Sequence, residues 1–171
     1  MKKFISVPLS TVVDSGTTSA TTANKLTEAG QNFLTTVKVG DIVQNTTDTI
    51  SATVTAVDSN TVLSLSADII PTAKAYTIYS ATVKVAQILD ANSALVIQQA
   101  TASTTTIAYG SGSTGADILT ITHTTLGSGV VSMRTAVQDA LIKSVNKNSR
   151  PETVFPIELP TGVAVISTAI A

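Results

Sequence analysis

At 171 residues the chain can build one or two compact units around a buried core without disulfide or metal staples. Only 12% of the residues are charged, 10 basic against 11 acidic for a formal net charge of −1, and neither half hoards one sign, which excludes the clustered Lys and Arg of a nucleic-acid footprint. Cysteine is absent, so disulfides, thiolate metal sites and a thiol nucleophile are excluded as well.

Hydrophobic residues make up 43% and aromatics 4%, with Thr, Ser, Val and Ala prominent, a balance that favours sheet over helix. So sparsely charged a surface is poorly protected against association, and a subunit of an assembly is expected. Met1-Lys2-Lys3 ahead of FISVPLSTVV has the outline of a secretory leader, but Pro8 and Ser10 weaken the apolar run and Asp14 closes it. No run approaches the ~20 apolar residues that span a bilayer, and GVAVISTAIA is about half that length, so a soluble chain is expected.

In chain order, Phe4–Leu9 reads as a first strand, with Pro8 at an edge or at the strand's end. Residues 14–24, rich in Ser and Thr, read as an irregular connection and a domain boundary. KLTEAGQN (25–32) fits an extended piece or one helical turn ended by Gly30, and Phe33 and Leu34 offer two large apolar groups to plug the unit that follows. That unit is the most informative stretch, 37–66. Val37, Val39, Ile42 and Val43 lead into the turn formers Asn45-Thr46-Thr47-Asp48; Ala52, Val54 and Ala56 alternate with Thr53, Thr55 and Val57; Asp58-Ser59-Asn60 turns the chain into Val62, Leu63 and Leu65. The period of two predicts a half-buried meander, the heart of a small β-barrel. Ile69-Ile70-Pro71 stops the sheet and AYTIY (Ala75–Tyr79) closes it.

From Ala81 a second set of strands begins. Val83, Val85, Ile88 and Leu89 precede the turn 90–93; Leu95-Val96-Ile97 and 104–109 are strands; Gly110 to Gly115 is a flexible loop. Residues 117–125 alternate, with Leu119, Ile121 and His123 on one face. One stretch is helical, 132–147: Ser132 is a natural N-cap, Met133, Ala136, Val137, Ala140, Leu141 and Val145 share a face, and Lys143 and Lys147 suit the negative end of its dipole. Final strands follow at 154–159 and 162–169, the last so uniformly apolar that it reads as a central strand or a subunit contact. The expected fold is mainly β with one α-helix (α+β): a small β-barrel over 14–80, inserted into a sheet domain of 1–13 plus 81–171 that the helix covers. Two consecutive domains are the simpler alternative.

Chemistry is sparse. His123 is the sole histidine and the one obvious near-neutral acid or base. With Asp117 and nearby hydroxyls a Ser-His-Asp set can be written down, but no Gly-x-Ser-x-Gly elbow accompanies it, and a His alternating with Leu119 and Ile121 reads as a packed residue. Asp41, Asp48, Asp58, Asp68, Asp90 and Asp117 are scattered singly, without the spaced carboxylates of an EF-hand. The 110–115 loop is neither a Walker loop nor a dinucleotide fingerprint. Asn45-Thr46-Thr47 matches a glycosylation acceptor only in form. Catalytic, cofactor-binding and metal-binding residues are therefore all read as none, and an enzyme is not expected.

The run Val39-Gly40-Asp41-Ile42-Val43, with Asn45-Thr46-Thr47-Asp48, ATVTAVDSNT (52–61) and Leu63-Ser64-Leu65, resembles segments of virion structural proteins of tailed bacteriophages. Leu119-Thr-Ile-Thr-His123, the helix carrying Arg134 and AVQDA (136–140), and a final apolar strand are similar to other small phage structural proteins. The resemblance implies a capsid decoration (cement) or minor capsid protein of the phage head, located in the virion. Its implied partners are its own copies and a major capsid protein, with no nucleic acid, membrane or small-molecule substrate. A tail, fibre or adhesion-type binding module is the alternative, although three Tyr, three Phe and no Trp are a poor supply for sugar stacking.

Overall fold

The computed structural model describes residues 3–83, 85–110, 116–125, 132–146 and 154–171. In chain order the elements are β1 (Phe4–Leu9), β2 (Val12–Thr17), β3 (Ala20–Thr22), β4 (Lys25–Thr27), α1 (Phe33–Thr36), β5 (Ile42–Asn45), β6 (Ile50–Val57), β7 (Val62–Leu65) and β8 (Ala75–Tyr79). Then come β9 (Val85–Asp90), β10 (Ala94–Thr101), β11 (Thr104–Gly110), β12 (Ala116–His123), α2 (Met133–Asn146), β13 (Val154–Pro156) and β14 (Val165–Ile170). The protein is mainly β, of α+β character, with a one-turn helix, α1, that the sequence reading does not separate from its surroundings.

Residues 12–79 form one seven-stranded sheet in the order β2-β8-β5-β6-β7-β4-β3. The ladder is not a closed barrel, because its end strands β2 and β3 do not pair with each other. They are, however, consecutive in the chain and meet at a corner: the Thr18 N–H donates to the Lys74 carbonyl (3.1 Å) on the β8 side, and the Ser19 N–H to the Thr27 carbonyl (2.9 Å) on the β4 side. A second bend lies in β6, which pairs with β5 over Ile50 to Thr53 and with β7 from Val54 onward, with a register shift between Val54 and Ala56. The curled sheet wraps a core of Leu26, Phe33, Val43, Val54, Leu63, Ile70, Tyr76 and Ile78.

Two readings of this part are corrected. The stretch 14–24 is mostly strand, not irregular connection: residues 75–79 and 25–27 supply pairing partners, and a threonine-rich segment is a good strand once paired. Of the two apolar groups meant to plug the sheet, Phe33 is fully buried but Leu34 is 60% exposed, because adjacent residues of a helical turn point about 100° apart.

The rest of the chain builds two smaller sheets, β13-β1-β9 and β10-β11-β12-β14. β1 is central in the first, parallel to β13 over Phe4 to Ser6 and antiparallel to β9 along its length. Pro8 falls beyond the reach of β13, where β1 has a partner on one side only, so its missing N–H costs no ladder bond. Ile5, Val7 and Leu89 from this sheet share one core with Ile107, Leu119, Ile121 and Val165 from the four-stranded sheet and with Met133, Ala136, Val137 and Ala140 of α2. Ser132 caps that helix, its hydroxyl accepting from the Thr135 N–H at 3.2 Å.

Two further differences stand out. Val145 is 62% exposed and Ser144 is buried in its place, since the buried stripe runs 133, 136, 137, 140 and 144. β14 is an edge strand rather than a central one. The expected loop at Gly110 to Gly115 and the helix end at Lys147 lie, apart from Gly110, outside the described residues.

The Phe33 and Leu34 contrast gives a direct check. Phe33→Ala should cost about 3–5 kcal/mol in a denaturant melt, by transfer and cavity terms together, while Leu34→Ala should stay within about 0.5 kcal/mol of the parent.

Candidate functional site

His123 ends β12 with its ring on the inner face beside Leu119 and Ile121, fully buried. Its Nδ1 lies 2.8 Å from the Thr124 carbonyl, which fixes the hydrogen on Nδ1 and leaves Nε2 as an acceptor. Nε2 faces the Gln99 amide nitrogen at 3.1 Å and the Thr105 hydroxyl at 3.3 Å. Burial holds the imidazole below its ordinary value of 6.5, against a smaller upward pull from the Thr124 carbonyl. Asp117, the candidate third member of a triad, sits exposed near the start of the same strand, six residues and so about 20 Å away at strand rise. The triad is not assembled, and the ring is held by uncharged groups.

The acidic residues are likewise spent on local structure. Asp41 is buried at the corner before β5: its carboxylate accepts from the Lys38 N–H (2.8 Å) and the Ala81 N–H (2.9 Å), tying the corner to the segment that leaves β8. The Asp48 carboxylate is held below the usual range by its hydrogen bond to Lys74, at 3.0 Å, with Asn45 adding to it. Asp58 is lowered chiefly by Lys25, at 2.8 Å, and then by Ser64. Asp68 accepts from the Asn24 N–H, and Asp90 from the Asn92 N–H. Among the described residues no three His, Cys, Asp or Glu side chains converge as metal ligands. Asn45 is buried with its amide nitrogen on Asp48 (2.9 Å) and the Ile69 carbonyl (2.8 Å), and its oxygen accepts from the N–H groups of Thr47 and Asp48. It is a turn clasp, not a glycan acceptor.

Two polar arrangements escape sequence reasoning. In the first, Glu28 reaches across β2, its carboxylate accepting from the Tyr76 hydroxyl and from the Thr17 N–H (3.2 Å). Gly16 makes this possible, since a Cβ there would occupy the carboxylate's position. The second is a cleft of about 200 Å³ lined by Thr11, Val13, Thr36, Lys38, Asp41, Ser80 and Thr82. It offers hydroxyls and one ammonium, and its carboxylate is already committed to two backbone donors. A Gly opposite a Tyr on the paired strand is the one sequence signal for the first; the second has none, because its walls come from three separate segments.

The remaining surface is more distinctive. Paired residues of a ladder share a face, so the side of the four-stranded sheet turned away from α2 carries the rows Val96–Ala108–Ile118, Gln98–Thr106–Thr120–Ala169 and Thr104–Thr122–Ser167. None of these is charged. Val96 is 58% and Ile118 43% exposed, and Ala171 extends the first row through reciprocal backbone bonds with Ile118. Compared with known proteins, the chain matches no family model, no curated protein and no solved structure.

Two outcomes follow. Asp41→Ala should destabilise the fold by roughly 1–3 kcal/mol, because it strands the Lys38 and Ala81 N–H groups. The tyrosines give a titration signature. Burial and then Glu28 push Tyr76 far above 10, burial with the charge of Asp90 raises Tyr109 to about 12, and burial raises Tyr79. All three favour the neutral form in the folded state, so this stability is intact below about 10, the unfolded value, and is lost as pH rises through the folded values. Phenolate absorbance should therefore stay flat through pH 10 and rise together with loss of circular dichroism; a normal tyrosine titrating in the folded protein would contradict this.

Proposed function

We propose that the protein is a structural component of a phage particle, a capsid decoration (cement) or minor capsid subunit that stabilises the head by contacts with its own copies and a major capsid protein. The observation that carries this reading is the uncharged outer face of the β10-β11-β12-β14 sheet. Water-exposed sheet faces and edges are ordinarily kept apart by charge, Lys above all, and by Pro. Among the described residues the paired rows of this face hold only Thr, Ser, Gln, Ala, Val and Ile, and β14 beside it, VISTAI, has no charge and no proline.

Size favours many contacts over one. Four strands about 4.8 Å apart and about six residues long at ~3.4 Å rise give a face of about 400 Å² per copy. Matched by an equal area on a partner, that is about 800 Å², below the ~1,000 Å² of a stable pair. Such a face is useful on a repeating lattice, where neighbours hold it at high local concentration. In this reading the curled but unclosed sheet, roughly residues 14–80, is a barrel-like unit inserted into a domain of 1–13 plus 81–171. The helix-bearing domain seats on the shell and the barrel projects or bridges to the next copy. The interior polar clusters around Asp41, Glu28 and Gln99 are bonded within the chain and hold its segments together.

Sedimentation tests it. The purified protein should pellet with phage heads that lack it and stay in the supernatant alone at low concentration. Ile118→Lys, at an exposed position, should keep the fold and weaken pelleting at least tenfold. A protein that ignores heads, or binding indifferent to that lysine, would overturn the proposal.

A further inference from the structure

Gln99, on β10, is the hub of the buried polar cluster around His123. Its Oε1 accepts from the Thr105 hydroxyl (2.9 Å) and from the Arg134 N–H (3.2 Å) in the first turn of α2. Its Nε2 donates to the Thr101 carbonyl (2.8 Å) and lies within reach of the Thr104 carbonyl (3.2 Å), the two residues that flank the β10–β11 turn, and it faces His123 Nε2 at 3.1 Å. One amide thus joins a hairpin turn, a histidine and the start of a helix.

We propose that His123 is an acid-sensitive catch: a proton added at its Nε2 releases Gln99 and thereby loosens the start of α2 and the β10–β11 turn. With Nδ1–H held by the Thr124 carbonyl, the incoming proton has only Nε2 to occupy. The new N–H then meets the Gln99 amide nitrogen at 3.1 Å, a donor facing a donor, and the Thr105 hydroxyl oxygen at 3.3 Å is the acceptor it can turn to, away from Gln99. Rotating the amide by half a turn cures that conflict and creates others. The oxygen would face the Thr101 and Thr104 carbonyls, and the nitrogen would face the Arg134 N–H and the hydroxyl hydrogen that Thr105 now gives it. Among the described residues no charged group faces the ring to steady the cation. The groups facing the ring are Gln99 from β10, Thr105 from β11 and Thr124 beyond β12, all uncharged; α2 contributes the Arg134 backbone N–H, and the Arg134 side chain is exposed. A neighbouring carboxylate, which would make a histidine indifferent to acid or hold it charged, is missing from that set.

The sign follows from linkage. The folded state favours neutral His123, so this contribution is complete above 6.5, the unfolded value, and is lost as pH falls from there through the lower folded value. The loss is local, because the seven-stranded sheet contains no histidine.

The sole imidazole makes the test clean. Nuclear magnetic resonance of the intact chain should show His123 as the Nδ1–H tautomer at neutral pH and titrating below 6.5. Over the same interval the protection of the Arg134 amide against hydrogen exchange, corrected for intrinsic rate, should fall at least tenfold. The Val54 amide, bonded to the Asp41 carbonyl at 2.8 Å, should keep its protection. His123→Phe should remove the pH dependence at Arg134, and His123→Gln serves as the smaller replacement if the Phe variant does not fold. The proposal is overturned by an imidazole that titrates at or above 6.5, by Arg134 protection that ignores the titration, by parallel loss at Val54, or by an unchanged pH dependence in the variant.

Discussion

The chain crosses once, in both directions, between its two sets of sheets, and the rest of the architecture depends on how that crossing is pinned. Ser10 leaves β1 by donating to the Val165 carbonyl (2.9 Å), and the next residue, Thr11, accepts from the Ser80 N–H (2.8 Å) as the returning strand passes it. Ala81 is then caught by the Asp41 carboxylate. Outgoing and returning segments are thus held side by side, and everything between them, 12–79, can pair with itself. A small apolar contact of Ile42, Tyr79 and Ala164 lies under the same crossing. Gly162, with φ of +75° and a virtual Cβ only 3.2 Å from the Thr53 hydroxyl, lets the turn before β14 come close to β6 there.

The same joining of distant segments runs through the polar interior. Buried polar groups are ordinarily satisfied. The Tyr109 hydroxyl is buried with no hydrogen-bond partner among the described residues, whereas three groups are satisfied by joining distant segments: Asp41 joins a corner to the exit strand, Glu28 spans β2 to reach Tyr76, and Gln99 joins a hairpin to a helix. Such groups have little capacity left for a substrate. The surface shows the opposite economy, with an uncharged sheet face and an edge strand lacking the usual protections. A protein built this way has its unsatisfied potential on the outside.

The period-two alternation made β6, β7, β8 and β12 legible in the sequence, because each has one face in a core and one outside it. The turn at Asn45 to Asp48 was legible for the same local reason, its amide chemistry being contained within four residues. What stayed hidden was set by partners distant in sequence. β2 and β3 look like a polar linker until the strands that pair with them are in place. The apolar run of β14 gives no clue that it ends a sheet, since an apolar strand fits a sheet centre and an exposed contact equally well. Gln99 lies beyond the strand Leu95-Val96-Ile97 that the sequence marks; its role comes from a histidine 24 residues away and a helix start 35 away.

The central claim, that this polypeptide acts through the outer surface of its four-stranded sheet, is tested most directly by imaging the protein in its native particle. Around each copy the account predicts more than ~1,000 Å² of contact in total, shared among several neighbours, with Val96, Ala108 and Ile118 buried against one of them. A particle in which that face stands bare in solvent, or a lone monomer holding a bound small molecule against His123, would contradict it.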